Sequence, residues 1–245
     1  MIVETYYRRC TKCGSIDIIK NGHDYKGAQK FHCHTCKAYG TLDREREYDP
    51  KTRKQALEAY FERVSMRGVQ RIFGVSRFVL ARWLLMKFEK LPALEETLVK
   101  WEPGDVLELD ELWSFVLKKS QKRWVWLALC RRTRQIVAFV IGDRSEDACH
   151  KLWNQIPAPY KRCATFSDFW KAYQNVFPEE THQSVGKETG LTAHVERWNL
   201  TLRQRLARFV RKSLSFSKSD TYHQAALALF IHRYNRSLKH AISQL

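Results

Sequence analysis

Between residues 105 and 142 apolar and polar positions alternate as they do in strands. VLELDELWSF (106–115) is an apolar run interrupted by three carboxylates, Glu108, Asp110 and Glu111. RWVWLALC (123–130) and QIVAFVIG (135–142) follow, joined by RRTR, and the three runs predict an antiparallel meander. Side chains alternate across a strand, so Glu108 and Asp110 share one face. Leu107, Leu109, Glu111, Trp113 and Phe115 share the other. The period then changes. SEDACHKLWNQI (145–156) gathers Ala148, Cys149, Leu152, Trp153 and Ile156 on one side of a helix. RCATFSD (162–168) reads as a strand that delivers Asp168 at its end, and the aromatic-rich FWKAYQNVF as a helix after it. TAHVERWNLTLRQRLARFVRK predicts a long helix over about 192–212, with Val195, Trp198, Leu202, Leu206 and Phe209 as its apolar stripe. Glu196, Asn199 and Arg203 fall within about 60° of each other along the border of that stripe.

Upstream, residues 51–88 look helical. Thr52 is placed to cap a helix carrying Ala56, Leu57, Tyr60, Phe61 and Val64. A short second helix, Val69 to Phe73, ends at Gly74; Ser76 caps a third, with Phe78, Val79, Trp83 and Leu84 expected to face inward. Helix, glycine turn and capped helix outline a helix-turn-helix over 51–88, from which Ser76, Arg77 and Arg82 would meet DNA. The bland competitor is an ordinary helical hairpin. The proline-containing stretch 89–104 reads as a linker, and so does the charged LDREREYDPK (42–51).

Residues 1–41 change the chemistry. Cys10-x-x-Cys13 and Cys33-x-x-Cys36 are two tight pairs with 19 residues between them, the spacing of a structural zinc site with four thiolates. His23, His32 and His34 are nearby, but the cysteines already complete a tetrahedral shell. We read a zinc ribbon holding one Zn²⁺. A module this small has little core, so metal binding would supply its folding energy.

Charge narrows the partners. The chain has 245 residues, with 43 Lys and Arg against 26 Asp and Glu, a net +17 that points to a polyanion, most simply nucleic acid. No apolar run approaches the roughly 18–20 residues of a spanning helix, and MIVETYYRRCTKCG lacks a signal-peptide core. A soluble intracellular protein is expected, with reduced thiols and no membrane partner. Cys130, Cys149 and Cys163 sit in apolar settings and are expected in the core.

Three antiparallel strands, a helix and a fourth strand ending in Asp168 are in the order of a ribonuclease-H-like domain, here 105–245. In that fold the fourth strand lies beside the first, which would bring Asp168 to Asp110. Taken alone, Asp168 also fits a helix cap, Glu196 a surface partner of Arg197 or Lys187, and the basic run around it a solvated helix face. Asp110, Asp168 and Glu196, with 57 and 27 residues between successive acids and Arg203 seven places after the last, resemble the DDE transposase signature. More narrowly, DELWSFV, AFVIGDR, FSDFWKAY and VERWNLTLRQRLARFVRKSLSFSKS are similar to the insertion-sequence-one family. In much of that family the enzyme arises by frameshifting between two reading frames, whereas this chain is continuous; the resemblance also implies a cytoplasmic, nucleoid-associated prokaryotic setting.

The resemblance implies an α/β multidomain enzyme that binds the terminal inverted repeats of its element, cleaves DNA strands and joins 3′-hydroxyls to target DNA. It also implies two Mg²⁺ or Mn²⁺ ions per active site, Asp110 bridging both and Asp168 and Glu196 each holding one. Asn199, Arg203, Arg205, Arg208, Arg211 and Lys212 are the expected phosphate contacts around Glu196. Pairing two element ends implies a homodimer or larger assembly. Two other functions use parts of the same outline: a DNA-binding regulator needs only 1–88, and a structure-specific nuclease would cut without joining. Glu108 and Glu111 have no derivable role beyond an ion pair of Glu111 with a nearby lysine or arginine.

Overall fold

A computed structural model describes residues 7–25, 27–41 and 48–244. The chain divides into two compact units, Met1–Pro50 and Lys51–Leu245. Most of the stretch 42–51 expected as a linker, and the first six residues of the cysteine module, lie outside the described residues.

The first unit is an antiparallel sheet of β1 (Ile18–His23), β2 (Gln29–Cys33) and β3 (Tyr39–Thr41), in that order. Cys10, Phe31 and Cys33 are its buried hydrophobic side chains among the described residues, which is too few to form a core.

The second unit opens with three helices. α1 (Pro50–Tyr60) begins at Pro50 instead of after Thr52, because proline's fixed φ and missing N–H suit a first helical turn. α2 (Met66–Phe73) is capped by Ser65, whose hydroxyl accepts the Gly68 N–H at 3.0 Å, and stops at Gly74 with φ +67°. α3 (Arg77–Phe88) starts where the Ser76 hydroxyl accepts the Val79 N–H at 3.3 Å. Its inward stripe is Leu80, Trp83 and Leu84. Phe78, expected inside, is 82% exposed, since it lies about 200° around the helix from Leu80.

Residues 89–104 pack into this unit. Leu98 belongs to the core, and the side chains of Gln135, just ahead of the strand Ile136–Gly142, and of Asn235 in the last helix hydrogen-bond Thr97.

The sheet contains β4 (Val106–Phe115), β5 (Lys122–Cys130), β6 (Ile136–Gly142), β7 (Ala164–Ser167) and β8 (His182–Ser184), in the order β6-β5-β4-β7-β8. β4, β5 and β6 form the expected antiparallel meander; β7 joins β4 in parallel and β8 joins β7 in parallel. α4 (Glu146–Gln155) and α5 (Lys171–Val176) share a core with Leu107, Leu109 and Trp126 on one face. Cys130, Cys149 and Cys163 are buried there as expected.

α6 (Ala193–Arg205) contacts β4 and β5, and α7 (Asp220–Ile242) contacts α3 and β6. α6 is shorter than the helix expected to reach 212. The Arg205 carbonyl accepts the Arg63 N–H at 2.7 Å, and Leu206 turns out of the helix at φ −118° and ψ 102°. Leu206 and Phe209 are still buried, but from the turn that follows. Among the described residues no helix is long and apolar enough to cross a membrane.

Candidate active site and metal centre

The register of β4 and β7 pairs Glu108 with Phe166, so Asp110 lies level with Asp168, which follows directly on β7. Glu196 stands in the first turn of α6, which packs against β4. Asp110 is half-buried: its Oδ1 accepts the Glu111 N–H at 2.9 Å, and its Oδ2 accepts from Asn199 Nδ2 at 2.6 Å. Burial, and then the negative charges of Glu111, Asp168 and Glu196, push the Asp110 carboxyl up to about 7. Asp168 Oδ1 accepts the backbone N–H of Trp170 at 3.0 Å in the turn that leads into α5. Glu196 Oε1 accepts from the Thr192 hydroxyl at 3.2 Å. Asp110 therefore senses both other acids, although among the described residues only the four cysteines gather three or more ligand atoms within 4.8 Å of one another.

From sequence, Glu108 has no derivable role and Glu111 only an unspecified ion pair. Glu108 is fully buried on the α6 side. Its Oε2 accepts the backbone N–H groups of His194 and Val195 at 2.9 and 3.1 Å; its Oε1 meets His194 Nδ1 at 2.6 Å and Arg131 Nε at 2.7 Å. Arg131 also donates to the Leu191 carbonyl at 2.7 Å. Thr192, which occupies the N-cap position of α6, makes no capping bond with its side chain; Glu108 does that work from the strand. Glu111 lies on the other face of β4, with Arg144 against its Oε1 and the Tyr173 hydroxyl donating to Oε2 at 2.9 Å. The Arg144 guanidinium stacks 3.9 Å from the Trp170 ring centroid and 4.7 Å from that of Trp124. These partners are 23 to 87 residues away in sequence, and no local pattern announces them.

The residues expected to touch DNA divide. Arg77 and Arg82 are exposed on α3, and Arg211 and Lys212 are exposed beyond α6. Ser76 is a helix cap. Asn199 is buried against Asp110, and its Oδ1 has no protein partner among the described residues. Arg203 donates to the Trp113 and Phe209 carbonyls, Arg205 pairs with Glu62, and Arg208 donates to the Tyr60 hydroxyl at 2.6 Å. Three of the five basic residues of that run thus brace the fold.

In the first unit the sulfurs of Cys10, Cys13, Cys33 and Cys36 all lie within 4.8 Å of one another. Cys10 and Cys36 stand 3.6 Å apart, as do Cys13 and Cys33. A tetrahedron with Zn–S bonds of about 2.3 Å has edges of roughly 3.8 Å, so the cluster fits zinc. Backbone N–H groups of Cys13 and Lys12 lower the Cys10 thiol to about 6, whereas Cys13, crowded by the sulfurs of Cys36, Cys33 and Cys10, is pushed up to about 12. His34 pairs with Asp17 at 3.2 Å and His32 stacks on Tyr39, so each has another partner.

Comparison with known proteins decides the family. The family model for IS1 transposase matches residues 106–236, more than half of the chain and all of the sheet. The chain belongs to the IS1 transposase family. The insertion element iso-IS1n protein InsB of Shigella dysenteriae is 35% identical over 129 residues, covering 53% of this chain and 95% of that protein. The insertion element IS1 4 protein InsB of Escherichia coli (strain K12) is 36% identical over 134 residues, or 53% and 78% of the two chains. The IS1 9 protein InsB of the same organism is 34% identical over 156 residues, or 61% and 91%. All three acids lie inside the segment that the family model matches.

Proposed function

We propose that this protein is a DDE transposase that binds the ends of its insertion sequence, cleaves DNA strands and joins the freed 3′-hydroxyls to target DNA. The observation that carries the reading is the strand register that sets Asp110 of β4 level with Asp168, beside the helix that bears Glu196 and packs on β4; burial and the neighbouring carboxylates push the Asp110 carboxyl up in keeping with it. The order β6-β5-β4-β7-β8, with the first three strands antiparallel and the rest parallel, supports a ribonuclease-H-like catalytic domain.

Hard carboxylate oxygens that repel one another suit Mg²⁺ or Mn²⁺. Asp110, Asp168 and Glu196 would together hold such ions. Bound there, the ions would offset charge on the attacking and leaving oxygens of an in-line displacement at phosphorus. Asp110 is oriented by the Asn199 amide and the Glu111 N–H, so its carboxylate is aimed before a ligand arrives. Asp168 is fixed through the start of α5, and Glu196 through the first turn of α6. Exposed Arg77 and Arg82 on α3 suit phosphate or base-edge contacts of a helix-turn-helix; Arg211 and Lys212 suit the backbone of the strand being cut. The four-cysteine cluster would hold one structural zinc. Bringing two ends together calls for a dimer or larger assembly.

Incubation with labelled terminal DNA and Mg²⁺ or Mn²⁺ tests this directly. Asp110→Asn and Glu196→Gln should each reduce cleavage at least about 100-fold while leaving a gel shift intact. Wild-type cleavage in either variant rejects the site, and cleavage without any joined product points to a nuclease instead.

A further inference from the structure

The strand LELDEL carries one acid that Asn199 orients, and two others, Glu108 and Glu111, whose oxygens are occupied by protein donors. Those donors are not scattered. Every one of them belongs to, or is tied to, a segment that bears another member of the proposed triad. Glu108 takes the first N–H groups of α6, two and one residues before Glu196. Through Arg131 it also holds the Leu191 carbonyl just ahead of that helix, and the Arg131 guanidinium lies 5.1 Å from the Phe166 ring centroid, two residues before Asp168. Glu111 holds Tyr173 of α5 and Arg144, and Arg144 stacks on Trp170, whose N–H is bonded to Asp168.

We infer that Glu108 and Glu111 are positioning residues. Glu108 brackets the helix bearing Glu196 to β4, and Glu111 brackets the segment bearing Asp168 to β4, so that one strand sets the spacing of all three acids around Asp110. The inference rests on the proposed metal-dependent reading of that triad.

The geometry supports a bracket better than simple packing. A buried carboxylate taken only for stability is a poor choice, because an apolar pair of the same volume does as well or better. It does, however, fix direction: Glu108 binds two consecutive backbone N–H groups with one oxygen, which sets both the height and the rotation of α6 over the strand. Arg144, clamped between Trp124 and Trp170, is equally restricted. Groups that orient metal ligands in this manner commonly change metal affinity by about 10–100-fold when altered.

The test measures Mn²⁺ binding to the zinc-loaded full chain by electron paramagnetic resonance, alongside cleavage, gel shift and melting temperature. Glu108→Gln and Glu111→Gln should each weaken Mn²⁺ binding by about 10-fold or more, with terminal DNA still bound. Cleavage should be restored at saturating Mn²⁺, which a general loss of fold would not allow. Should either variant fail to fold, Arg131→Gln and Arg144→Gln leave the buried carboxylates in place and should shift Mn²⁺ affinity in the same direction by a smaller factor. Unchanged affinity in the folded variants, with binding lost in Asp110→Asn, overturns the bracket and leaves the proposed site standing. Unchanged Mn²⁺ binding in Asp110→Asn overturns the site, and the bracket with it.

Discussion

His223 illustrates how a single residue couples this fold to pH. It is buried, its Nε2 3.0 Å from the Ser114 hydroxyl and its Nδ1 2.7 Å from that of Ser217, with Phe209 stacked on its ring. Burial, helped by the positive charge of Arg208, lowers it to about 4. The unfolded chain would protonate near 6.5 and the folded one only near 4, so the unfolded state binds the extra proton between those values. The stabilising contribution of neutral His223 is complete above about pH 6.5 and is lost as pH falls toward 4, by about 3 kcal/mol at most. Melting temperatures from pH 4 to 8 should therefore fall on the acid side in the wild type, and His223→Gln should flatten that dependence. The three acids of the proposed site, by contrast, were legible as residues: each stands in a recognisable pattern of its own element. Their bracing partners were not, because Glu108 and Arg131 or Glu111 and Arg144 meet only when strands pair or helices dock.

At the scale of elements, the turn between α2 and α3 is held by Gly74 in the left-handed region, with open space where a side chain would go. Gly74→Ala should cost about 1 kcal/mol of stability from backbone strain alone, measurable by denaturant unfolding. In the first unit, Cys13→Ser should release zinc, detected with a chromogenic chelator, and unfold that sheet. The melting of the second unit should remain, since the two units are separately compact. The strand meander, α2, α3 and α4 were readable because their apolar periods are local. The end of α6 was not: LARF keeps helical spacing, and only the backbone bond from Arg63 to Arg205 stops the helix there. α7 is a related case, with eight consecutive buried residues, Ala225 to His232, and so no periodic stripe over that stretch to mark it.

For the whole molecule the net charge of +17 has a consequence in solution. Affinity for duplex DNA should fall linearly on a logarithmic salt scale, and Arg77→Ala or Arg82→Ala should each reduce the slope by about one if its side chain meets a phosphate. Arg205→Ala, which removes the pairing with Glu62, should lower stability by no more than about 1 kcal/mol and leave that slope near its wild-type value. A count of basic residues thus overstates the DNA-binding surface, because Arg203, Arg205 and Arg208 are engaged within the fold.

The sequence by itself determined the chemistry on offer: four thiolates at zinc spacing, three carboxylates on separate elements, and the strand and helix order that could unite them. Those features depend on neighbours a few residues apart, where spacing and period act directly. Tertiary structure alone decided which protein donors each acid meets, where α6 ends, and which arginines remain exposed. Each of those outcomes depends on a hydrogen bond or ion pair between segments distant in the chain, and such contacts exist only once the sheet has formed.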